Sequence, residues 1–189
     1  MQDDKQTIRK EILAVRMGMS SAECEQKSLV ICDRLLASEL YKKANTIYAY
    51  MAFRNEVDLS KVIMQCLLDH KSIALPKISG SVMTFHCPQR TLKDDIITRQ
   101  GYFGIEEPAE GAEPAPKPDL ILLPGVAFDK QHNRIGYGKG FYDTYISQNV
   151  DSALTVTVGI AYECQLVDTI PAKAHDYRLH HLLTECAFY

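Results

Sequence analysis

No stretch of this 189-residue sequence stays apolar long enough to span a bilayer. Its opening residues, MQDDKQTIRK, hold no apolar segment of the kind a secretion signal uses, so none is expected. A surplus of one charge is also missing. The formal net charge of −3 gives no global attraction to nucleic acid or an anionic membrane, so any anion site must be a local concentration of Lys, Arg and backbone N–H groups. The six cysteines, Cys24, Cys32, Cys66, Cys87, Cys164 and Cys186, form no CxxC pair. That argues against a zinc ribbon or a redox motif, and for reduced, packed thiols in a soluble cytoplasmic protein. No repeat is visible, and neither is a Ser-His-Asp or Cys-His constellation. At this length one domain is expected.

What is present alternates helical and extended patterns. Lys5 to about Met17 is helix-compatible, and Ser20-Ser21-Ala22-Glu23 fits a capping box opening a second helix, with Leu29, Cys32, Leu35 and Leu36 expected to face the core. Thr46–Met51 reads as a strand, Leu59–His70 as a helix capped by Asp58, Ile73–Leu75 as a short buried strand ended by Pro76, and Val82–Cys87 as another strand. The Pro-, Ala- and Glu-rich stretch 106–117 reads as a surface loop. Strands are expected at Leu154–Ala161 and Leu182–Phe188. Such alternation predicts an α/β fold: a three-layer, open, mostly parallel, Rossmann-like sheet with helices on both faces. Ligands in such folds sit beyond the carboxyl ends of the strands.

The densest signal runs from Asp119 to Asp143. Leu120-Ile121-Leu122-Leu123 is a strand buried on both faces, and Pro124-Gly125 ends it. Gly136, Gly138 and Gly140 alternate with Tyr137 and Lys139, Arg134-Ile135 precedes them, and a helix can run from Phe141 to about Asn149. Strand, cationic glycine loop and helix start are the parts of a phosphate cradle, although a plain tight turn has the same glycines. The loop is not a Walker A motif, which needs Gly-Lys-Ser/Thr after a four-residue gap. Nor is it the dinucleotide fingerprint, whose third glycine would fall at Phe141.

Pro124-Gly125-Val126-Ala127-Phe128-Asp129 and Arg134-Ile135-Gly136-Tyr137-Gly138-Lys139-Gly140-Phe141-Tyr142-Asp143 resemble the signature of the 5-formyltetrahydrofolate cyclo-ligase (methenyltetrahydrofolate synthetase) family. Lys5 and Arg9, Glu56-Val57-Asp58, Ala74-Leu75-Pro76-Lys77, Gly104-Ile105-Glu106-Glu107-Pro108, Val158-Gly159-Ile160-Ala161-Tyr162 and His175-Asp176 agree in order and spacing. The resemblance implies ATP-dependent cyclisation of 5-formyltetrahydrofolate to 5,10-methenyltetrahydrofolate, with release of ADP and phosphate. The formyl oxygen attacks the γ-phosphate, and the nitrogen at position 10 captures the resulting iminium phosphate. Such chemistry needs positioning, a metal and charge neutralisation more than a protein nucleophile.

Residue by residue, the resemblance implies nucleotide contacts from Lys5, Arg9, Arg134, Ile135, Gly136, Tyr137, Gly138, Lys139, Gly140, Phe141 and Tyr142, with Arg134 and Lys139 acting on the transferring phosphate. It implies folate contacts from Arg9, Met51, Glu56, Tyr137, Gly138, Lys139, Gly140 and Phe141, and magnesium ligation by Asp143 and Asp176. Each has a plainer reading. Lys5 and Arg9 share a helical face that can be merely solvated, Met51 can be core, and Asp143 can serve only the helix dipole. Two departures from the family pattern stand out: Phe141 where Tyr is usual, and His180 where a further Asp is usual. His175, His180 and His181 lack a cysteine at zinc spacing and are expected at the surface. The expected partners are the folate and ATP, with the protein a monomer bound to neither nucleic acid nor membrane. A nucleotide-binding regulatory module and a sugar-phosphate isomerase on a similar sheet are the competing functions.

Overall fold

The computed structural model describes residues 2–91, 96–171 and 176–189. The first helices are α1 (Gln2–Met17), α2 (Ser21–Ala37) and the short α3 (Glu39–Lys43), followed by β1 (Thr46–Tyr48), α4 (Ser60–Leu68), β2 (Ser72–Ser79) and β3 (Val82–Cys87). Short strands β4 (Thr98–Gln100), β5 (Glu106–Pro108) and β6 (Glu113–Pro114) lead to β7 (Leu120–Leu123), β8 (Ala127–Asp129) and β9 (Arg134–Ile135). The chain then forms α5 (Phe141–Asn149), β10 (Val156–Ile160), β11 (Leu166–Val167) and β12 (His181–Leu183).

Seven strands make the main sheet in the order β12-β10-β7-β1-β2-β3-β6. The five strands from β12 to β2 pair in parallel, and β3 and β6 add an antiparallel edge. Because side chains alternate across a strand, Ile47, Ile73, Leu75, Leu120 and Leu122 face one core with Ile31, Leu35, Val62 and Ile63 of α2 and α4. Tyr48, Ala74, Ile121 and Leu123 face the other, against Ile146 of α5. Helices therefore cover both faces, as the alternating sequence pattern requires. A third, smaller cluster (Ala127, Ile135, Ile170) receives Ile8 and Ile12 of α1.

Several boundaries differ from the sequence reading. Leu29 is exposed because the buried stripe of α2 runs through Ser28, Ile31, Cys32 and Leu35, and Leu29 lies about 100° round the helix from Ser28. Helix α4 starts at Ser60, with Asp58 Oδ1 accepting the Ser60 N–H at 2.9 Å one position ahead of the Leu59 cap. Strand β1 stops at Tyr48, opposite Ala74. Pro76 does not end β2, because past Ala74 only β3 pairs with it, and a strand edge tolerates a missing N–H. The stretch 106–117 holds β5 and β6, which pair with β4 and β3. Strand β12 closes after Leu183, where the Thr184 hydroxyl accepts the Cys186 and Ala187 N–H groups. The described cysteines are all free thiols; burial pushes Cys32 up to about 12 and Cys66 to about 11. Among the described residues no helix is long and apolar enough to cross a membrane.

Candidate active site

The sheet order reverses between β1 and β7: the chain passes from β1 outward to β2, then returns to β7 and moves the other way to β10 and β12. At such a switch point the loops leaving adjacent strands diverge and open a crevice. Here the loops after β1 (50–56) and β7 (Pro124-Gly125) part around a cleft of about 730 Å³. The glycine loop, the start of α5, one side of α1 and Pro76 and Ile78 of β2 complete its walls. Every residue given a site role from the sequence lines this cleft.

The loop is built by conformation. Gly138 (φ 92°) and Gly140 (φ 71°) occupy the left-handed region, where a Cβ would be strained, and Gly140 is the N-cap of α5. Lys139 between them is exposed and has no hydrogen-bond or ion-pair partner among the described residues. The other cations are engaged. Arg9 Nε donates to the Gly136 carbonyl at 2.8 Å, fastening the loop to α1. Arg134, with only 4% of its side chain exposed, donates to Asp143 Oδ1 at 2.9 Å and to the Pro124 carbonyl at 3.2 Å, and lies 5.6 Å from the Tyr142 ring centre. Lys5 pairs with Asp176 at 2.5 Å. Both expected metal ligands are therefore neutralised by a cation in the same cleft.

Glu56 is the unusual group. It is 7% exposed; Oε2 accepts the Phe53 N–H at 3.0 Å, while Oε1 is buried without a hydrogen-bond partner among the described residues. An unmatched buried carboxylate oxygen costs free energy unless something supplies a donor. Burial raises its pKa to about 7, although Arg16, the Phe53 N–H, the Tyr137 hydroxyl and Arg134 pull the other way. The turn delivering it contains consecutive non-glycine residues in the left-handed region, Arg54 (φ 49°) and Asn55 (φ 55°). Such backbone costs of order 1–3 kcal/mol per residue and persists only where surrounding contacts hold it. The Asn55 side chain donates to the carbonyls of Arg16 (3.3 Å) and Met19 (3.2 Å), which supplies the hold.

The remaining predicted residues divide by what they touch. Met51 lines the cleft and also packs on the first core. Ile135 buries its side chain in the third core, which leaves its backbone for the cleft. Phe141 meets Tyr102 edge-on at 6.2 Å, and Tyr142 meets Phe85 at 6.3 Å. Burial pushes the Tyr142 phenol well up and that of Tyr137 to about 12, so both remain protonated. His180 is half-buried rather than at the surface and is not part of the cleft: its Nδ1 accepts the Thr157 N–H at 3.1 Å on strand β10. His181 is half-buried, meeting Phe188 edge-on, rather than at the surface. His175 lies outside the described residues. Asp129, within the signature block, is structural: fully buried, it accepts N–H groups from Gln131, Asn133 and Ile170.

Two residues escaped the sequence reading. Glu107 is 4% exposed and accepts the Ile78 and Tyr102 N–H groups, pinning β5 to β2 at the cleft wall. Arg16 is fully buried beneath the cleft. Seven residues separate it from Arg9, two helical turns, and that spacing was the available signal.

The sequence matches the 5-formyltetrahydrofolate cyclo-ligase family over residues 1–185. It is 30% identical over 182 residues to the 5-formyltetrahydrofolate cyclo-ligase of Haemophilus influenzae, spanning 95% of this chain and 96% of that one. It is 27% identical over 189 residues to the Mus musculus enzyme of the same name, spanning 96% and 93%. A solved structure of the Aquifex aeolicus 5,10-methenyltetrahydrofolate synthetase superposes with a TM-score of 0.82 at 30% identity, over 97% of this chain and 91% of that one. The Mycoplasma pneumoniae 5,10-methenyltetrahydrofolate synthetase gives 0.72 at 25% identity, over 96% and 99%. With the cleft, its glycine loop and the match along almost the whole sequence, the chain belongs to the 5-formyltetrahydrofolate cyclo-ligase family, ligase-class enzymes of folate one-carbon metabolism.

Proposed function

We propose that this cleft closes the ring of 5-formyltetrahydrofolate to 5,10-methenyltetrahydrofolate with hydrolysis of ATP to ADP and phosphate. The observation that carries the reading is a buried carboxylate oxygen without a donor among the described residues, Glu56 Oε1, in the same cleft as a cationic glycine loop. A pterin offers that oxygen its 2-amino group and a ring N–H, and a triphosphate offers the loop its anionic oxygens.

A formamide carbon is a poor electrophile and its oxygen a poor leaving group. Attack of the formyl oxygen on the γ-phosphorus breaks the bond to the β-phosphate oxygen, ADP departs, and the carbon becomes an iminium bearing phosphate. Nitrogen 10 then adds to that carbon, loses its proton, and the carbon–oxygen bond breaks with phosphate leaving. Lys139, exposed on the loop and without a partner among the described residues, holds a point charge for the transferring group. Arg9 and Lys5 supply charge from α1, while Met51, Phe141 and Tyr142 give the folate an apolar wall that excludes water. Asp143 and Asp176 are hard oxygen donors in this cleft and fit Mg2+ shared with nucleotide oxygens and water. The ion would neutralise part of the triphosphate charge. The test is to incubate the purified protein with 5-formyltetrahydrofolate and MgATP and follow the near-ultraviolet absorbance of the methenyl product. Nucleotide binding without turnover under reducing conditions would favour the regulatory module, and turnover of a sugar phosphate without ATP the isomerase.

A further inference from the structure

Arg16 sits under the cleft without lining it, and burying a guanidinium is costly unless its donors are matched. Its donors go to three different parts of the site. Nε donates to the Arg54 carbonyl at 3.1 Å, in the left-handed turn that delivers Glu56. Nη1 donates to the Gly125 carbonyl at 2.8 Å, where the chain leaves β7. Nη2 donates to the Tyr137 hydroxyl on the glycine loop. The same Nη1 lies 4.0 Å from Glu56 Oε1, too far for a hydrogen bond and near enough for strong attraction in a buried site.

We propose that Arg16 is a positioning residue for folate recognition: it ties the Glu56 turn, the β7 exit and the glycine loop together, and its charge keeps the Glu56 carboxylate ionised for the pterin. A solvated arginine on α1 could do neither. The charged and titratable groups facing Glu56 are Arg16 from α1, Arg134 and Tyr137 from the glycine-loop segment, Tyr142 from α5 and Tyr50 beyond β1. Arg134 already pairs with Asp143, and the three phenols stay neutral, so among the described residues Arg16, 4.0 Å away, is the main cation balancing Glu56. Glu56 itself stands near the edge of ionisation, its pKa raised to about 7 even with Arg16 beside it. An opposite charge at this range typically lowers a carboxyl pKa by about 1–3 units, so removing it moves the carboxyl up by a similar amount.

The inference rests on Glu56 as the folate carboxylate, and the experiment separates the two. Binding of 5-formyltetrahydrofolate alone is measured by calorimetry from pH 6 to pH 9 for the wild type, Arg16→Met, Arg16→Lys and Glu56→Gln. The expected result is that Arg16→Met moves the midpoint for binding up by roughly one pH unit or more. At pH 7 its affinity falls about tenfold and most of the loss is recovered at pH 9. ATP affinity falls less than folate affinity, since Arg9 still fastens the glycine loop through the Gly136 carbonyl. Arg16→Lys keeps the charge without the fork, so its midpoint rises less; if the methionine variant does not fold, the lysine variant carries the test. An equal loss of affinity at every pH, with the midpoint unmoved, would show a structural tie alone and overturn the proposal. Should Glu56→Gln bind the folate as the wild type does, the assignment of the cleft fails first. Should it lose the folate while the Arg16 variants move no midpoint, only the role of Arg16 fails.

Discussion

Replacing Glu56 by Gln should make the unliganded protein more stable at alkaline pH while removing its folate affinity. In the folded chain the carboxyl titrates near 7, against an ordinary 4.5. Between those values the native state holds a proton the unfolded chain has lost, so stability falls as pH rises through this window and stays low above it. The difference makes the ionised group cost about 3 kcal/mol at pH 8. At this chain length each kcal/mol moves the melting temperature by about 2–4 °C, giving a ceiling of roughly 6–12 °C. The amide returns part of that, because its NH2 is itself buried and stands beside Arg16. A gain of a few degrees at pH 8 and none at pH 5 is expected, read as the difference between the two melting temperatures in matched buffers. Calorimetry on the same samples should show the folate lost and ATP retained. Equal melting shifts at both pH values would refute the reasoning, since a pH-independent change comes from packing rather than from a carboxylate kept ionised for a ligand.

Lys139→Ala and Arg134→Ala should each lower kcat/KM for ATP about tenfold to a hundredfold, the usual loss for one charge-assisted contact; unchanged steady-state ATP kinetics in both would leave the loop a turn. Arg134→Ala should also lower the melting temperature, because it strips Asp143 of its partner, whereas the exposed Lys139 should not. Asp143→Asn and Asp176→Asn should raise the magnesium concentration for half-maximal activity, and His180→Ala should not, with zinc rescue of the histidine variant the result that reverses this assignment. Gly159→Ala should destabilise by about 1–3 kcal/mol in a denaturant titration. An added Cβ would stand 2.6 Å from Leu179 Cδ1 and 2.8 Å from Phe128 Cε1, and a neutral effect would mean that those side chains give way.

What could be read from the sequence was what local chemistry controls. Leu120–Leu123 is apolar at four successive positions because both sheet faces are covered, and Gly138 and Gly140 mark where the backbone turns left-handed. The capping box at Ser20 and Glu23 formed as the motif prescribes. Contacts between distant segments were not legible. Arg16 meets Tyr137 across 121 positions and Gly125 across 109, and its two-turn spacing from Arg9 puts both on one helix face without saying that Arg16 is buried. The extent of β2 depended on where its neighbour β1 stopped, which no pattern around Pro76 encodes. The raised pKa of Glu56 arises from burial by segments remote in sequence, so its residue type was visible and its state was not.

The pairing of Lys5 with Asp176 and of Arg134 with Asp143 bears on what the cleft will admit. A bare triphosphate that drew both cations to itself would leave two carboxylates facing it, and a bare divalent cation that took both carboxylates would leave two cations beside it. Either visitor alone exchanges one unbalanced arrangement for another. Arriving as a complex, nucleotide and metal exchange partners with both pairs at once, and every charge is answered. Each then strengthens the other's binding by the same factor, as linkage demands. If the proposed function holds, the resting ion pairs would act as a filter for stoichiometry, favouring the metal–nucleotide complex over either component alone.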